Sequence, residues 1–122
     1  MFDKITEVNL LYDFYAQLLT EKQQEVIRLY HCENLSLSEI GDEFSISRQG
    51  VYDALKNAEK SLFEYEAKLG LLKKFAYTSS LIARVDKQID SLISDNAEDK
   101  DLADKLYGLK EIVDEIGDKE YM

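Results

Sequence analysis

Arg48, Gln49, Tyr52, Lys56 and Lys60 fall on one side of a predicted helix, with Arg48 near its edge. Their chemistry is that of nucleic-acid recognition. Glutamine can pair with adenine and arginine with guanine, while lysines meet phosphate oxygens and a tyrosine can touch a base or sugar edge. Asp53 shares that side and works against it, because a carboxylate repels phosphates. The opposite side carries Val51, Leu55 and Ala58, which predicts an inward face, with Leu55 locking this helix onto the one before it.

Other reactive residue types lead nowhere catalytic. His31 and Cys32 are adjacent, but a tetrahedral zinc site needs three or four such ligands, and the chain has one histidine and one cysteine. Adjacent helical residues also point about 100° apart, which excludes a Cys–His nucleophile pair. The pair therefore reads as a histidine at a helix end beside a small buried cysteine. Asp95, Glu98, Asp99, Asp101 and Asp104 lack the glycine and terminal glutamate of a calcium loop. They suit a helix N-terminus, where negative charge is favourable, and also offer an acidic surface to a basic protein. No phosphate-binding glycine loop or triad spacing is present. The sequence thus predicts no enzyme, no cofactor and no metal.

The elements that would position the outer face lie in SLSEIGDEFSISRQGVYDALK, from Ser36 to Lys56. Ser36 with Glu39 forms a capping box, predicting a helix over 37–44 with Ile40 and Phe44 on its apolar stripe. Ser45 breaks the run, Ile46 is the apolar plug of the turn, and Ser47 can cap a second helix starting at Arg48. Two short elements joined in this way are a helix-turn-helix.

The segment LTEKQQEVIRLYHCENLSLSEIGDEFSISRQGVYDALKNAEKSL resembles region 4 of bacterial sigma factors, which reads promoter DNA. With the acidic helical tail added, nearly the whole chain resembles the small bacterial family called YlxM. The resemblance implies Arg48, Gln49 and Lys56 as groove-contacting candidates. It also implies a DNA-binding protein suggested to act in the signal recognition particle pathway, through that particle's protein or RNA component. That suggestion comes from neighbouring genes, not from this chain. Two positions depart from the sigma pattern: Ser45 stands where a turn glycine is common, and Gly50 sits in the first turn of the recognition helix. Gly50 should cost about 1 kcal/mol relative to alanine unless its missing side chain permits a close approach.

Composition sharpens the choice between partners. The 122 residues carry a net charge of −10, with 45% hydrophobic and 33% charged residues. Between Ser36 and Lys60, three basic residues face five acids, so this helix-turn-helix should bind DNA weakly. With no proline and five glycines, the chain favours long helices. A lone cysteine, no signal-peptide pattern and no long apolar run predict a cytoplasmic protein without membrane insertion.

The fold class expected is all-α: a sigma-region-4-like helix-turn-helix part over 1–70, then long helices in an acidic part over 71–122. Apolar spacing predicts helices over 3–19, 21–31, 37–44 and 48–69, with Val26, Ile27 and Tyr30 the inward face of the second. Gly70 should stop the fourth in a left-handed conformation. A fifth helix carries Leu71, Phe75, Thr78, Ile82, Val85, Ile89 and Leu92. After a polar turn at 94–96, a sixth carries Leu102, Leu106, Leu109, Val113 and Ile116, closed by Gly117. These heptad seams exceed what the helices can bury alone, which predicts a homodimer, with Tyr65, Tyr77 and Tyr107 at an interface.

Overall fold

The computed structural model describes residues 3–119. Among them are six α-helices and no strand: α1 (Lys4–Tyr15), α2 (Glu21–Ile27), α3 (Leu37–Phe44), α4 (Arg48–Leu69), α5 (Leu71–Asp95) and α6 (Lys100–Lys119). A 3₁₀ turn over Ala16–Leu18 follows α1, and a π turn over Arg28–Cys32 follows α2. The chain divides into two compact units after Leu72.

Caps set the boundaries of the first unit. Asp3 accepts a hydrogen bond from the Thr6 amide, and reciprocal capping boxes open α2 (Thr20 with Gln23) and α3 (Ser36 with Glu39). Each such cap stabilises by about 1 kcal/mol. Gly70, at φ 64°, ends α4 in the left-handed region where glycine pays no side-chain penalty.

The main core joins three helices. Val8, Leu11 and Tyr15 of α1 pack with Val26 and Ile27 of α2 and with Leu55, Ala58 and Leu62 of α4. A smaller cluster of Leu29, Ile40 and Val51, edged by Ile46, holds α3 against α4. Val51 therefore anchors α3 directly. Leu55, expected to do so, lies instead in the main core, and Leu37 and Phe44 of α3 reach the edge of that core.

Tyr15 also carries a polar role inside this unit. Its hydroxyl donates to Glu66 Oε1 at 2.6 Å and accepts from the Leu71 amide at 3.0 Å, while the Leu72 amide donates to the same carboxylate oxygen at 3.0 Å. Two amides at the start of α5 are thus satisfied by side chains of α1 and α4. Burial, and then the Glu66 hydrogen bond, push the Tyr15 hydroxyl above its ordinary pKa.

Several sequence expectations need correction. The first helix stops at Tyr15 and tightens into the 3₁₀ turn, leaving Leu18 exposed. The second converts to π geometry, its Glu33 amide bonding to the Arg28 carbonyl at 3.1 Å. The wider turn changes which side chain faces inward: Leu29 is buried, whereas Tyr30 and Cys32 are exposed. Tyr65 is half-buried at the edge of the first unit's core, donating to the Leu18 carbonyl at 3.0 Å and packing 6.0 Å from the Tyr15 ring.

In the second unit α5 and α6 form an antiparallel hairpin with Ile89 and Leu106 buried. Lys110 bridges the helices, donating to Asp86 at 2.9 Å and Asp90 at 2.8 Å, and both carboxylates raise its pKa. The α5 helix runs on through Asp95, so the turn falls at 96–98, later than expected. Asp99 caps α6 by accepting from the Leu102 amide, one of the roles foreseen for that acidic cluster. Gly117 lies within α6 and does not close it. Val85 and Leu92 of α5, and Leu109 and Ile116 of α6, which lie on the heptad seams, are about half exposed. Among the described residues no helix is long and apolar enough to cross a membrane.

Candidate nucleic-acid interface

The turn between α3 and α4 is built by backbone geometry that only small residues permit. Ser45 takes the left-handed conformation at φ 56°, ψ 43°, where a glycine would be at ease. A non-glycine residue there costs roughly 1–2 kcal/mol. The glycine this turn depends on lies four residues earlier. A Cβ on Gly41 would sit 2.7 Å from the Ile46 carbonyl oxygen, so the chain can double back onto α3 only because Gly41 has none. The Ile46 amide in turn donates to the Gly41 carbonyl at 3.0 Å.

Ser47 then caps α4, its hydroxyl accepting from the Gly50 amide at 2.9 Å. A Cβ at Gly50 would stand 3.2 Å from that hydroxyl oxygen, which is the close approach that accounts for a glycine in the first turn.

The five candidate side chains are all exposed along the outside of α4. Four of them are occupied locally. Gln49 donates to Asp53 at 3.0 Å. The Lys56 ammonium lies 5.5 Å from the centre of the Tyr52 ring and 3.6 Å from Glu59, and Lys60 reaches Glu64 at 4.0 Å. Arg48 makes no ion pair among the described residues. A fully exposed ion pair such as Lys60–Glu64 contributes about 0.2–1 kcal/mol. Together these contacts place a carboxylate beside nearly every group that would meet a phosphate.

Sequence reasoning missed Glu59, which it counted as one more repelling acid. Glu59 is buried at 6% exposure, and His31 Nε2 lies 2.8 Å from its Oε2. The histidine is as deeply buried, and its ring packs edge-on against Tyr30 at 5.1 Å. The bond ties the π turn to the middle of α4. A hydrogen bond to a charged group is worth about 1.5–3 kcal/mol, and breaking it here would strand a buried partner.

That hydrogen bond, helped by Lys56, holds the Glu59 carboxyl below its ordinary pKa. The unfolded chain binds that proton more readily than the folded one, so the stabilisation is full above the ordinary carboxylate value of about 4.3. It disappears as pH falls through the lowered folded value. Glu59→Gln should therefore reduce the melting temperature at neutral pH and flatten its decline below about pH 5. A decline as steep as that of the wild type would place the acid sensitivity elsewhere.

Capped helices, a left-handed turn closed on Gly41 and a second helix with an exposed polar face define a helix-turn-helix protein. Sequence comparison makes this specific. The profile of a family described as "UPF0122: Putative helix-turn-helix protein, YlxM / p13 like" matches residues 2–105. A UPF0122 protein of Listeria monocytogenes serotype 4b is 43% identical over 112 residues, covering 92% of this chain and 99% of its own. One of Bacillus cereus strain AH187 is 43% identical over 109 residues, covering 89% and 99%. The chain belongs to the UPF0122 family.

Proposed function

We propose that this protein is an accessory subunit that acts by binding a basic protein partner in the signal recognition particle pathway, with the helix-turn-helix as scaffold and secondary binder. The observation carrying this reading is the pairing of Gln49, Lys56 and Lys60 with Asp53, Glu59 and Glu64 on α4. A groove-reading helix gains most of its affinity from uncompensated cations. Of the three basic candidates, Arg48 alone has no acidic partner among the described residues, within a chain of net charge −10. Such a surface favours a basic protein over a polyanion. The pathway itself comes from the family resemblance.

A second reading, a sequence-specific DNA-binding regulator, is favoured by the intact turn geometry at Gly41 and Ser45. One double variant separates the two. Replacing Arg48 and Lys56 with alanine should abolish the weak retention of DNA in a gel shift, with a shallow salt dependence in the wild type. A basic protein recovered by pull-down should stay bound. Loss of both together would mean that one face serves both functions and that the proposed division is wrong.

Assembly is part of this proposal. Tyr77, Leu81, Val85 and Leu92 of α5, with Leu109, Ile112 and Ile116 of α6, leave large apolar side chains 38–64% exposed. A second copy of the hairpin offers a self-complementary cover for them. Light scattering should give about twice the 14.1 kDa of one chain, and a monomer across micromolar concentrations would rule the dimer out.

A further inference from the structure

We infer that the cleft between α1, the π turn and α4 is a binding site for a small amphipathic organic anion: an apolar ring-sized body bearing one carboxylate, sulfonate or phosphate group. The inference stands independently of the proposed partner, because it rests on the shape and charge of this cleft alone.

The cleft has a volume of about 570 Å³, within the ~300–1,000 Å³ typical of small-molecule sites. Its floor is apolar, formed by Val8, Leu35, Leu37 and Leu55. Ile5, on the apolar stripe of α1 yet 64% exposed, opens onto it, and Tyr30 and Tyr52 supply aromatic surface from opposite elements. A flat apolar body can lie against these side chains and remove them from water.

Charge selects the rest of the ligand. The chain is strongly acidic, but the cleft lining is not: it holds Lys4 and Lys56 against a single carboxylate, Glu59. That carboxylate is already bound by His31 at 2.8 Å and faced by Lys56 at 3.6 Å, and the charge of Lys4 also acts on it. With two lysines in the lining and one carboxylate that His31 already binds, the apolar cleft carries net positive charge at its edge. An anionic head group completes that arrangement, whereas a cation or a neutral hydrocarbon does not. Occupancy would engage Tyr52 and Lys56, side chains that also belong to the candidate nucleic-acid face of α4.

The test uses 1-anilinonaphthalene-8-sulfonate as the anionic probe and N-phenyl-1-naphthylamine as its uncharged counterpart, followed by amide NMR shifts on the full chain. Saturable shifts should concentrate at residues 30–37 and 52–59 with the sulfonate. Replacing Lys4 and Lys56 with glutamine should weaken the sulfonate at least tenfold and leave the uncharged probe within about twofold. Ile5→Trp, at an exposed position, should fill the cleft and weaken both probes. Laurate and phenyl phosphate as competitors then distinguish a carboxylate ligand from a phosphate one. The inference is overturned by shifts confined to α5 and α6, by no saturable shift at millimolar probe, or by a lysine variant that binds both probes as the wild type does. Should the lysine variant melt early, sulfonate binding undiminished in Ile5→Trp overturns it equally.

Discussion

Leu55→Ala should lower the stability of the folded chain by about 2–5 kcal/mol, the range for removing a buried leucine side chain from a packed core. Leu55 is 3% exposed and meets side chains of α1 and α2, with Leu37 and Phe44 of α3 against the same cluster. No single neighbour can move in to fill the space without dragging its own helix, which argues for the upper half of that range. Chemical denaturation reads the loss as a lowered midpoint at unchanged slope. An unchanged midpoint would mean that α4 buries a different face. Val51→Ala removes less volume from the smaller cluster with Leu29 and Ile40, so it should cost less and act chiefly on the docking of α3.

The second large effect comes from adding a methyl group. Gly41→Ala forces a Cβ to within 2.7 Å of the Ile46 backbone carbonyl. A side chain could swing aside, but this oxygen belongs to the turn, and its residue closes the turn through its own amide. The substitution should cost about 1–3 kcal/mol, as overpacking does in rigid sites, and should shift the amide resonances from Ser45 to Arg48. Gly50→Ala is the natural control. There the Cβ would press on a side chain, the Ser47 hydroxyl at 3.2 Å, instead of on backbone, so the disturbed cap offsets the roughly 1 kcal/mol of helix propensity that alanine gains and the cost should be smaller than at Gly41. If Gly41→Ala melts with the wild type, the close approach is not what fixes the turn.

These two residues show what the sequence could and could not reveal. The ends of α3 and α4 were legible because local signals place them: a capping box at Ser36 and Glu39, a serine cap at Ser47, a glycine stop at Gly70. Gly41 was passed over because a glycine inside an amphipathic helix gives no sign of what will lie across from it. Its partner is a backbone atom whose position exists only after the turn has formed. Glu59 was misread for a related reason. Its bond to His31 joins residues 28 positions apart, and the π turn that swings the histidine toward it leaves no periodic signature. The candidate face of α4 was legible as a set of residues. The acids that occupy it were counted in the sequence, but their pairing depends on side-chain reach along the folded helix.

The hydrogen bonds that join Tyr15 to Leu71 and Glu66 to Leu72 also bear on the order in which the chain takes shape during synthesis. Starting a helix is its costliest step, because several residues must be fixed before one bond is gained. For α5 part of that cost falls on a hydroxyl from α1, 56 residues upstream, which leaves the ribosome first and can pack with α2 and α4 before α5 is complete. The finished first unit thus acts as a template for the initial turn of the helix that follows. A nascent chain whose residues up to Leu72 have all cleared the ribosome would already hold the nucleus from which the rest of α5 grows.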